Sequence, residues 1–395
     1  MGSLDNIRVL DLSRFLAGPL CGMLLADAGA TVIRIEPPGG GEDRKWALLG
    51  PDGENLPFKI FARSKKGITL QLRTQRGRAI FRELVRRSDV VLHNFPPGTG
   101  TAEELAYIRL KEINPRIIAA TVTGYGLSGP KAAEVGLDFA IQAASGSMVL
   151  NGLPGGPPLK TTVPYIDCCA GTTCALGILL ALYHREKTGV GQAVDTSLFD
   201  IGFFLTQALG TLMLYKVYDE QREHLGNFGF STYMSCVRAK DGFVMVVPST
   251  DPMWARFVKA IDREDMIADP RFKSDMERWR NTAHIEPIVQ EWGSQRTVNE
   301  IVDVMREARV ACAPVNRIEQ LLHDQQVAAR EMIAWTDFPG LGAIPLPGIP
   351  VKLSLTPGSI TARAPRIGEH NEEIYRGLLG MESEEFEGLR REGII

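Results

Sequence analysis

The sequence predicts an α/β protein whose large domain is a mostly parallel sheet covered by helices. Short β-rich runs alternate with helical patterns through the first half of the 395-residue chain, and this alternation is typical of β-α-β units. The composition changes after about residue 220, where a smaller α+β domain is expected. We therefore predict a large domain over 1–220, a small domain over 226–320 and a C-terminal segment over 330–395.

The first half contains the repeating units of the predicted sheet. The predicted strands cover 7–13, 31–36, 67–72, 89–95 and 116–126. Apolar residues recur at helical spacing between them, over 18–30, 74–88 and 101–115. A longer helix is predicted over 168–187, because Asp167 can cap its start and REKTG supplies positive charge and a terminating glycine. A strand in QAVDTS then leads into an apolar helix near 198–217.

The second half has the pattern of an α+β domain. STYMSCVRAKDGFVMVVPS predicts two strands joined by the turn KDG. Helical stretches follow over 252–262, 281–293 and 297–309. From residue 339 the proline- and glycine-rich chain predicts extended segments around turns, and helical periodicity returns in 370–395.

Charge, cysteines and the N-terminus limit the class of protein. A net charge of -3 and a pI near 6.1 give no broad surface for nucleic acid or an anionic membrane. The strongest apolar run, 175–183, is shorter than the roughly 20 residues of a membrane span. Six cysteines without C-x-x-C fit neither a disulfide framework nor a zinc site, and no signal peptide is visible. We expect a cytoplasmic protein without a metal, nucleic-acid or membrane partner.

The common nucleotide-binding motifs do not match. The turn after the first strand reads SRFLAGPLCG instead of G-x-G-x-x-G, and no G-x-x-x-x-G-K-[ST] loop occurs. NAD and ATP chemistry are therefore disfavoured. The six histidines show no metal spacing, and no G-x-S-x-G elbow supplies a serine nucleophile.

Asp167, in VPYIDCCAG, is the first candidate for chemistry. At the start of an apolar helix its carboxylate would face free N–H groups and the positive end of the helix dipole, which favours the ionised form. An ionised, sheltered carboxylate can act as a nucleophile. From the local sequence alone, a simple N-cap is the commoner explanation.

Two further features suit an acyl-transfer site. Gly226 and Gly229, in HLGNFGFS, could bring backbone N–H groups to an oxyanion, although a plain turn is locally more common. Seven cations near predicted strand ends could bind ligand phosphates, although most surface cations are merely solvated. They are Arg14, Arg34, Arg44, Lys45, Arg63, Lys65 and Lys66.

Eight ordered segments carry a specific resemblance to a known family. They are IRVLDLSRFLAGPLCGMLLADAGATVIRIEPPGGGEDRKW, KKGITLQL, VLHNFPPG, TVTGYGLSGP, GLDFAIQAASG, YIDCCAG, LLALYHREKTGVGQAVDTSL and RAPRIGEHNEEI. Together they resemble the class III CoA-transferases, over nearly the whole chain. The resemblance implies a Rossmann-like large domain completed by the C-terminal segment, an inserted small domain and two chains interlocked as a homodimer. It also implies acyl-CoA and carboxylic acid substrates.

The resemblance also assigns roles to residues of this sequence. Asp167 falls where the transferases carry their catalytic aspartate, and Gly226 and Gly229 match a glycine loop less securely. Pro37 stands where formyl-CoA transferase has an arginine, so Arg34, Arg44 or another cation would hold the phosphates. The pocket for coenzyme A would include Phe15, Leu16, Ala17, Arg34, Lys65, Leu70 and Asn94.

The expected reaction is exchange of CoA between acids through an aspartyl mixed anhydride and an aspartyl-CoA thioester, with a small dicarboxylate such as succinate or a substituted succinate as substrate. One alternative is the racemase branch, which uses a histidine where this chain has Leu137, followed by Asp138. Another is a non-catalytic acyl-CoA-binding subunit. The intact Asp167 favours the transferase.

Overall fold

The computed structural model describes residues 2–46 and 48–395. These residues form two compact units. The first comprises the chain up to residue 145 together with 161–205 and 325–395, and the second comprises 146–160 and 206–324.

The strands form one large parallel sheet and two small antiparallel ones. The large sheet contains β1 Arg8–Asp11, β2 Thr31–Glu36, β3 Lys66–Thr69, β4 Val90–His93, β5 Ile118–Thr123 and β6 Ala193–Ser197. The others are β7 Ser235–Arg238, β8 Phe243–Val247, β9 Ala311–Pro314, β10 Ile333–Phe338 and β11 Gly342–Pro347. The large sheet has the order β3-β2-β1-β4-β5-β6, with every neighbouring pair parallel. The predicted mostly parallel sheet is confirmed.

Helices cover the sheet and build most of the second unit. They are α1 Ala17–Asp27, α2 Leu56–Phe61, α3 Gln75–Arg86, α4 Gly100–Glu104, α5 Tyr107–Ile113, α6 Asp138–Ala144, α7 Ser147–Leu150, α8 Tyr165–Thr188, α9 Leu198–Gln207, α10 Thr211–Tyr218, α11 Asp251–Ala260, α12 Asp265–Ala268, α13 Asp275–Arg280, α14 Thr282–Ser294, α15 Val298–Glu307, α16 Ile318–Leu321, α17 Gln325–Ala329 and α18 Ser383–Arg391. The helix predicted over 198–217 is interrupted at Gly210, which has a φ of 73°.

The sheet of the first unit is buried on both faces, as parallel sheets usually are. One face packs against α1 and α8, whose buried Cys21, Leu25, Cys174 and Ile178 join Val9 in one core cluster. The opposite face packs against α3 and α5 and against α18 from the C-terminal segment, in a separate core cluster. Strands buried on both sides explain why the predicted β runs were almost continuously apolar.

The C-terminal segment covers the free edge of β3. Gly67 N–H donates to His370 Nδ1 at 3.1 Å, and Thr69 N–H donates to Asn371 Oδ1 at 2.9 Å. The Tyr375 hydroxyl donates to Thr69 O at 2.6 Å from a π-helix over Glu372–Leu378. Side chains of the C-terminal segment therefore satisfy backbone groups that an edge strand would otherwise expose.

The second unit has its own core around the antiparallel sheet β7-β8-β9. The predicted KDG turn joins β7 to β8, and the two strands pair antiparallel. Apolar residues of the sheet pack with Trp254, Phe257, Ile285 and Val289 from α11 and α14. An independent core of this kind is what makes the segment a compact unit.

The contact-defined units differ from the predicted domain bounds at 146–160 and 206–220, which both belong to the second unit. The physical reason is a set of backbone hydrogen bonds that tie the first of these segments to 224–226. His224 N–H donates to Val149 O at 3.1 Å, and Gly226 N–H donates to Gly152 O at 2.8 Å. Pairing between such distant segments is invisible in the local sequence.

Helix α8 is longer than its apolar core suggested. The sequence analysis predicted a helix over 168–187 and tested only the run 175–183 as a membrane span. The helix extends over 24 residues and is long and apolar enough to cross a membrane by length and composition alone. Core helices of soluble proteins pass the same test. Here the helix packs against the sheet and buries 44% of its most apolar window inside the protein.

Candidate active site at the sheet switch point

The chain order of the large sheet reverses between β1 and β4, and open α/β sheets bind ligands beyond the strand ends at such a point. Two hydrogen bonds join the loops that follow these strands. Arg14 N–H donates to Asn94 Oδ1 at 2.9 Å, and Asn94 Nδ2 donates to Arg14 O at 2.7 Å. Asn94 thus fixes the distance between the two loops.

Phe15 has a strained backbone in the first of these loops. Its φ is 68°, in the left-handed region that residues with a side chain rarely adopt. Its N–H donates to Asp43 Oδ2 at 3.3 Å. Strain of this kind concentrates at functional sites, where the surrounding structure holds it in place.

A cavity of about 220 Å³ lies between these loops and the start of α8, and we call it the Asp167 cavity. Leu137 and Leu198 give it apolar walls. It brings together five of the residues predicted from sequence, namely Phe15, Leu16, Ala17, Asn94 and Asp167. They lie together because the β1 loop, the β4 loop and α8 meet at the same edge of the sheet.

The position of Asp167 differs from the predicted N-cap. The helix begins at Tyr165 with Pro164 as its N-cap residue, and no side chain caps it. Asp167 lies within the first turn, and its N–H donates to Asp138 Oδ2 at 3.0 Å. No described residue donates a hydrogen bond to the Asp167 carboxylate. The N-cap interpretation was therefore wrong, because the Asp138 side chain already satisfies an N–H of this helix start.

Burial and the neighbouring charge of Asp138 raise the pKa of Asp167 to about 7. The sequence analysis expected the helix dipole to favour the ionised form, and this expectation was wrong in sign. Desolvation and a like charge outweigh the dipole here. Asp138 is itself held by Gln142, whose Nε2 donates to Asp138 Oδ1 at 2.6 Å. The carboxylate of Asp138 is thus held in position, whereas that of Asp167 has few stabilising contacts.

Two cysteines follow Asp167 directly in the helix. Burial and the charge of Asp167 raise the pKa of the Cys168 thiol to about 11, and burial and Asp138 raise the pKa of Cys169. The thiolate is the reactive form of cysteine. Both thiols therefore favour the protonated form at neutral pH, which disfavours them as nucleophiles.

A second cavity, of about 340 Å³, lies on the other side of the Arg14 loop, and we call it the Leu70 cavity. It is lined by the predicted residues Arg34 and Leu70, together with Leu72 and Phe95. Arg14 lines both cavities. The predicted coenzyme residues are thus divided between two adjoining cavities, with Lys65 in neither.

Most of the predicted phosphate-binding cations are held in ion pairs. Arg34 contacts both Asp43 oxygens at 2.8 and 2.9 Å, and Arg44 contacts Glu36 at 2.7 Å. The remaining pairs are Arg14–Glu42, Arg63–Asp27, Lys65–Asp11 and Lys66–Glu373. The sequence analysis identified the cations correctly as residues near strand ends. It could not show which carboxylates neutralise them.

Lys65 does not contact either cavity, which corrects its assignment to the coenzyme pocket. Its side chain is completely buried, and Nζ donates to Asp11 Oδ2 at 2.7 Å and to Pro19 O at 2.8 Å. The residue lies at the end of the α2–β3 connection, where it stabilises the base of the β1 loop.

Gly226 and Gly229 lie in the second unit, and their role in catalysis stays a prediction. Gly226 has a φ of 58°. The carbonyl of Gly229 accepts a hydrogen bond from Trp279 Nε1 at 2.7 Å, so its backbone is anchored to α13. An added Cβ at Gly229 would lie 2.3 Å from Thr232 O, which excludes larger residues without rearrangement.

None of the described residues that line the Asp167 cavity is a histidine. Leu137 lines the cavity and occupies the position of the racemase histidine. Asp138 was named in the sequence analysis only as one proton carrier of that alternative reaction. The structure shows it as the direct neighbour of Asp167. Among the described residues no group of three His, Cys, Asp or Glu side chains could hold a metal ion.

Comparisons with known proteins identify the family of the chain. The family model described as CoA-transferase family III matches residues 4–371. The chain is 33% identical to the succinyl-CoA–D-citramalate CoA-transferase of Chloroflexus aurantiacus, over 99% of this chain and 98% of that protein. It is 32% identical to the formyl-CoA:oxalate CoA-transferase of Streptomyces coelicolor, over 100% and 99% of the two chains.

A solved structure shows the same fold. The crystal structure of a CAIB/BAIF family protein from Brucella suis superposes with a TM-score of 0.83 at 30% identity, over 95% of this chain and 99% of that one. The fold, the family model and full-length relatives at this identity define the class. The chain belongs to CoA-transferase family III, and it is a CoA-transferase.

Proposed function

We propose that Asp167 transfers CoA between two carboxylic acids through covalent intermediates. Its carboxylate attacks the donor thioester, the C–S bond breaks and the CoA thiolate leaves, giving a mixed anhydride. The thiolate attacks the aspartyl carbonyl, which releases the donor acid and forms an aspartyl-CoA thioester. The acceptor carboxylate displaces the thiolate to give a second anhydride, and the thiolate then takes the acceptor acyl group and frees Asp167.

One observation supports this proposal above the others: Asp167 is a cavity carboxylate to which no described residue donates a hydrogen bond. A nucleophilic oxygen must keep its lone pairs available, and a carboxylate with several donors loses reactivity. The buried Leu198 gives the cavity an apolar wall, and a water-poor site suits this chemistry because water would hydrolyse the anhydride.

We propose a small dicarboxylate as the acceptor or donor acid. The two relatives named above are named for D-citramalate and oxalate, which are both small diacids. Arg14 lines the Asp167 cavity, and its Nε is buried without a hydrogen-bond partner among the described residues. A second carboxylate of the substrate would supply that partner, since guanidinium groups bind carboxylates strongly.

The test is to trap the intermediate. The enzyme is incubated with succinyl-CoA, treated with hydroxylamine and digested, and the peptide that contains YIDCCAG is analysed by mass. We expect a hydroxamate at Asp167 and CoA exchange into a panel of diacids. A Cys168→Ala/Cys169→Ala variant is the matched control and should give the same product. An adduct that disappears in this control would place the chemistry on a thiol and overturn the proposal.

We also propose that the active form is a homodimer. Leu176, Leu179, Leu180 and Tyr183 form a stripe at helical spacing on α8 and are 42–64% exposed. Continuous apolar surface of this kind marks an interaction surface. Leu180→Glu should weaken the dimer in sedimentation, whereas Leu355→Glu, at a residue 91% exposed, should not. A wild-type protein that sediments as a monomer at assay concentration contradicts the proposal.

A further inference from the structure

Gln142 connects two parts of the helix start that carries Asp167, although the sequence analysis gave it no role. It lies on α6 and is completely buried. Its Nε2 donates to Asp138 Oδ1 at 2.6 Å, and its Oε1 accepts a hydrogen bond from Thr161 N–H at 2.9 Å. All four residues belong to the first unit. One amide therefore holds both the carboxylate beside Asp167 and the chain that leads into α8.

The direction of these hydrogen bonds follows from the backbone. The N–H of Thr161 can only donate, so the Gln142 atom that faces it is the oxygen Oε1. The amide nitrogen then points at Asp138, and it too can only donate. The other oxygen of Asp138 accepts from Asp167 N–H at 3.0 Å. Both oxygens of Asp138 are thus acceptors, and this arrangement suits an ionised carboxylate.

The two contacts of Gln142 act on the start of α8 from two sides. The Thr161 hydroxyl donates to Val163 O at 3.0 Å, two residues before the helix begins at Tyr165. The first turn of a helix leaves its N–H groups without intrahelical partners, and Asp138 supplies the partner of one of them. Without Gln142, both the turn before α8 and the carboxylate that binds its first turn would lose a partner.

A glutamine of the second unit has the same pattern of contacts. Gln290 Nε2 donates to Glu286 Oε1 at 2.7 Å, and its Oε1 accepts from Arg238 N–H at 2.9 Å. Gln290 and Glu286 are four positions apart on α14, as Gln142 and Asp138 are on α6. The local geometry of the two pairs is alike, but one of them lies beside the proposed nucleophile. Gln290 is therefore a matched control for Gln142.

We propose that Gln142 is a positioning residue for the transfer reaction, because it holds the ionised Asp138 against the helix start that carries Asp167. This inference rests on the proposed function, since it takes Asp167 to be the nucleophile. Attack on the thioester turns the Asp167 carboxylate into an uncharged anhydride, and the negative charge leaves with the CoA thiolate. The repulsion from Asp138 is therefore present before the attack and relieved after it, which lowers the barrier. Gln142 itself does not line the Asp167 cavity.

The groups that titrate around Asp138 lie on α8. Within the first unit, Asp138 interacts electrostatically with the carboxyl of Asp167 and with the thiols of Cys168 and Cys169. Burial raises the pKa of both thiols, so they favour the neutral form. A change on the acidic side of the activity profile therefore reports on the two carboxylates.

The first experiment measures kcat and KM for succinyl-CoA between pH 5.5 and 8.5 in wild type, Gln142→Met and Gln290→Met. Methionine fills similar space but cannot donate a hydrogen bond. We expect Gln142→Met to lower the plateau kcat by about tenfold with KM unchanged, as a lost hydrogen bond to a charged group predicts. Its kcat/KM at pH 6, relative to its plateau, should be about threefold above wild type, which corresponds to about half a pKa unit. Gln290→Met should leave all these values unchanged.

The double variant Asp138→Asn/Gln142→Met tests whether Gln142 acts through Asp138. If it does, adding Gln142→Met to Asp138→Asn changes the profile no further. Effects that add in the double variant overturn the inference, and so does a Gln142→Met profile that superimposes on that of wild type.

Gln142→Glu covers the case in which the methionine variant does not fold. It has the length of the native residue and can keep the Thr161 contact, but it donates to Asp138 only while it is protonated. Burial and Asp138 favour that form at acid pH. The ratio of its kcat to that of wild type should be near one at pH 5.5 and fall by about fivefold by pH 8.5. A constant ratio would mean a purely structural role and overturns the inference.

Urea unfolding separates this inference from the proposed function. The stability gained through Asp167→Asn at pH 8, relative to pH 4.5, measures how tightly the folded protein holds the Asp167 proton, and no turnover is needed. This gain should be smaller in the Gln142→Met background than in wild type. A smaller gain supports the positioning of Asp138 even if Asp167→Ala still transfers CoA, in which case the proposed function alone fails. An equal gain in the two backgrounds overturns the inference.

Discussion

Two aspartates of the first unit, the buried Asp11 and the half-buried Asp167, have opposite surroundings. Asp11, at the end of β1, accepts hydrogen bonds from Ser13 N–H at 2.9 Å and from Lys65 Nζ at 2.7 Å, and also from the Ser13 hydroxyl. Asp167 accepts none from any described residue and has the charge of Asp138 beside it. The first carboxylate is fully satisfied, and the second is not.

The comparison shows how one unit uses the same residue type for structure and for chemistry. A buried charge is tolerated when a partner and additional donors compensate its desolvation, as at Asp11. Without compensation the charged form is disfavoured, and burial raises the pKa, as at Asp167. Perturbed groups in cavities are candidates for function, whereas saturated ones are structural.

The largest expected effect is the loss of transfer in Asp167→Ala. By the proposed mechanism the variant has no covalent route, so the rate of CoA exchange should fall by about a thousandfold or more. Affinity for CoA should change little, because the variant shortens only one of the side chains that line the cavity. Steady-state kinetics and CoA titration measure the two effects. Transfer at the wild-type rate would show that Asp167 is not the nucleophile.

Lys65→Met should destabilise the fold by about 3–5 kcal/mol, since it leaves Asp11 buried without its counter-ion. Urea unfolding measures the change. The double variant Asp11→Asn/Lys65→Met is the control and should recover part of the loss, because it removes both charges. KM for acyl-CoA should stay the same in the folded fraction. An intact fold with a raised KM would restore Lys65 to the coenzyme pocket.

Asp167→Asn should stabilise the protein by about 2 kcal/mol at pH 8 relative to wild type, after allowance for solvent at the cavity mouth. The folded pKa near 7 lies above the ordinary value, so the folded state holds this proton more tightly than the unfolded state. Wild-type stability therefore falls as the pH rises from about 4 to about 7, and the asparagine removes that fall. Urea unfolding of both proteins at pH 4.5 and 8 tests the sign. If their free energies of unfolding differ by the same amount at both pH values, titration of Asp167 is ruled out.

The smallest expected effect is on the pH profile of Asp138→Asn. Without the neighbouring charge the pKa of Asp167 should decrease, because burial alone then raises it. At pH 6, kcat/KM relative to its plateau should be about fivefold above wild type, which corresponds to about one pKa unit. Asp138→Glu keeps the charge and should keep the wild-type profile. If the acidic side of the kcat/KM profile were the same in Asp138→Asn as in wild type, Asp138 would carry no charge beside Asp167.

Much of the first unit could be predicted from local patterns. The strand predicted over 31–36 matches β2, and the helix predicted over 74–88 contains α3. Errors occur where a pattern continues across a break. The helix predicted over 101–115 is two helices, α4 and α5, and α2 and α6 were not predicted at all. Short helices leave too few periodic residues for a pattern to indicate them.

The candidate site was likewise predicted in part and missed in part. Motif matches located Phe15, Leu16, Ala17, Asn94 and Asp167, and the structure places all five around one cavity. The matches failed for Lys65, since a lysine at a strand end looks the same whether it contacts ligand or a buried aspartate. A cleft lined by arginines of α3 and α5 was missed, because its residues come from separate helices with no common motif.

By itself the sequence determined the parallel sheet, its covering helices, the family and the aspartate that we propose as the nucleophile, because apolar periodicity and ordered motifs are local properties. Only the tertiary structure decided the strand order, which carboxylate neutralises which cation, and the protonation of Asp167. Those features depend on distances between residues far apart in the chain. A pKa depends on desolvation and on charges within a few ångströms, and Asp138 is 29 positions away in sequence yet hydrogen-bonded to the Asp167 backbone.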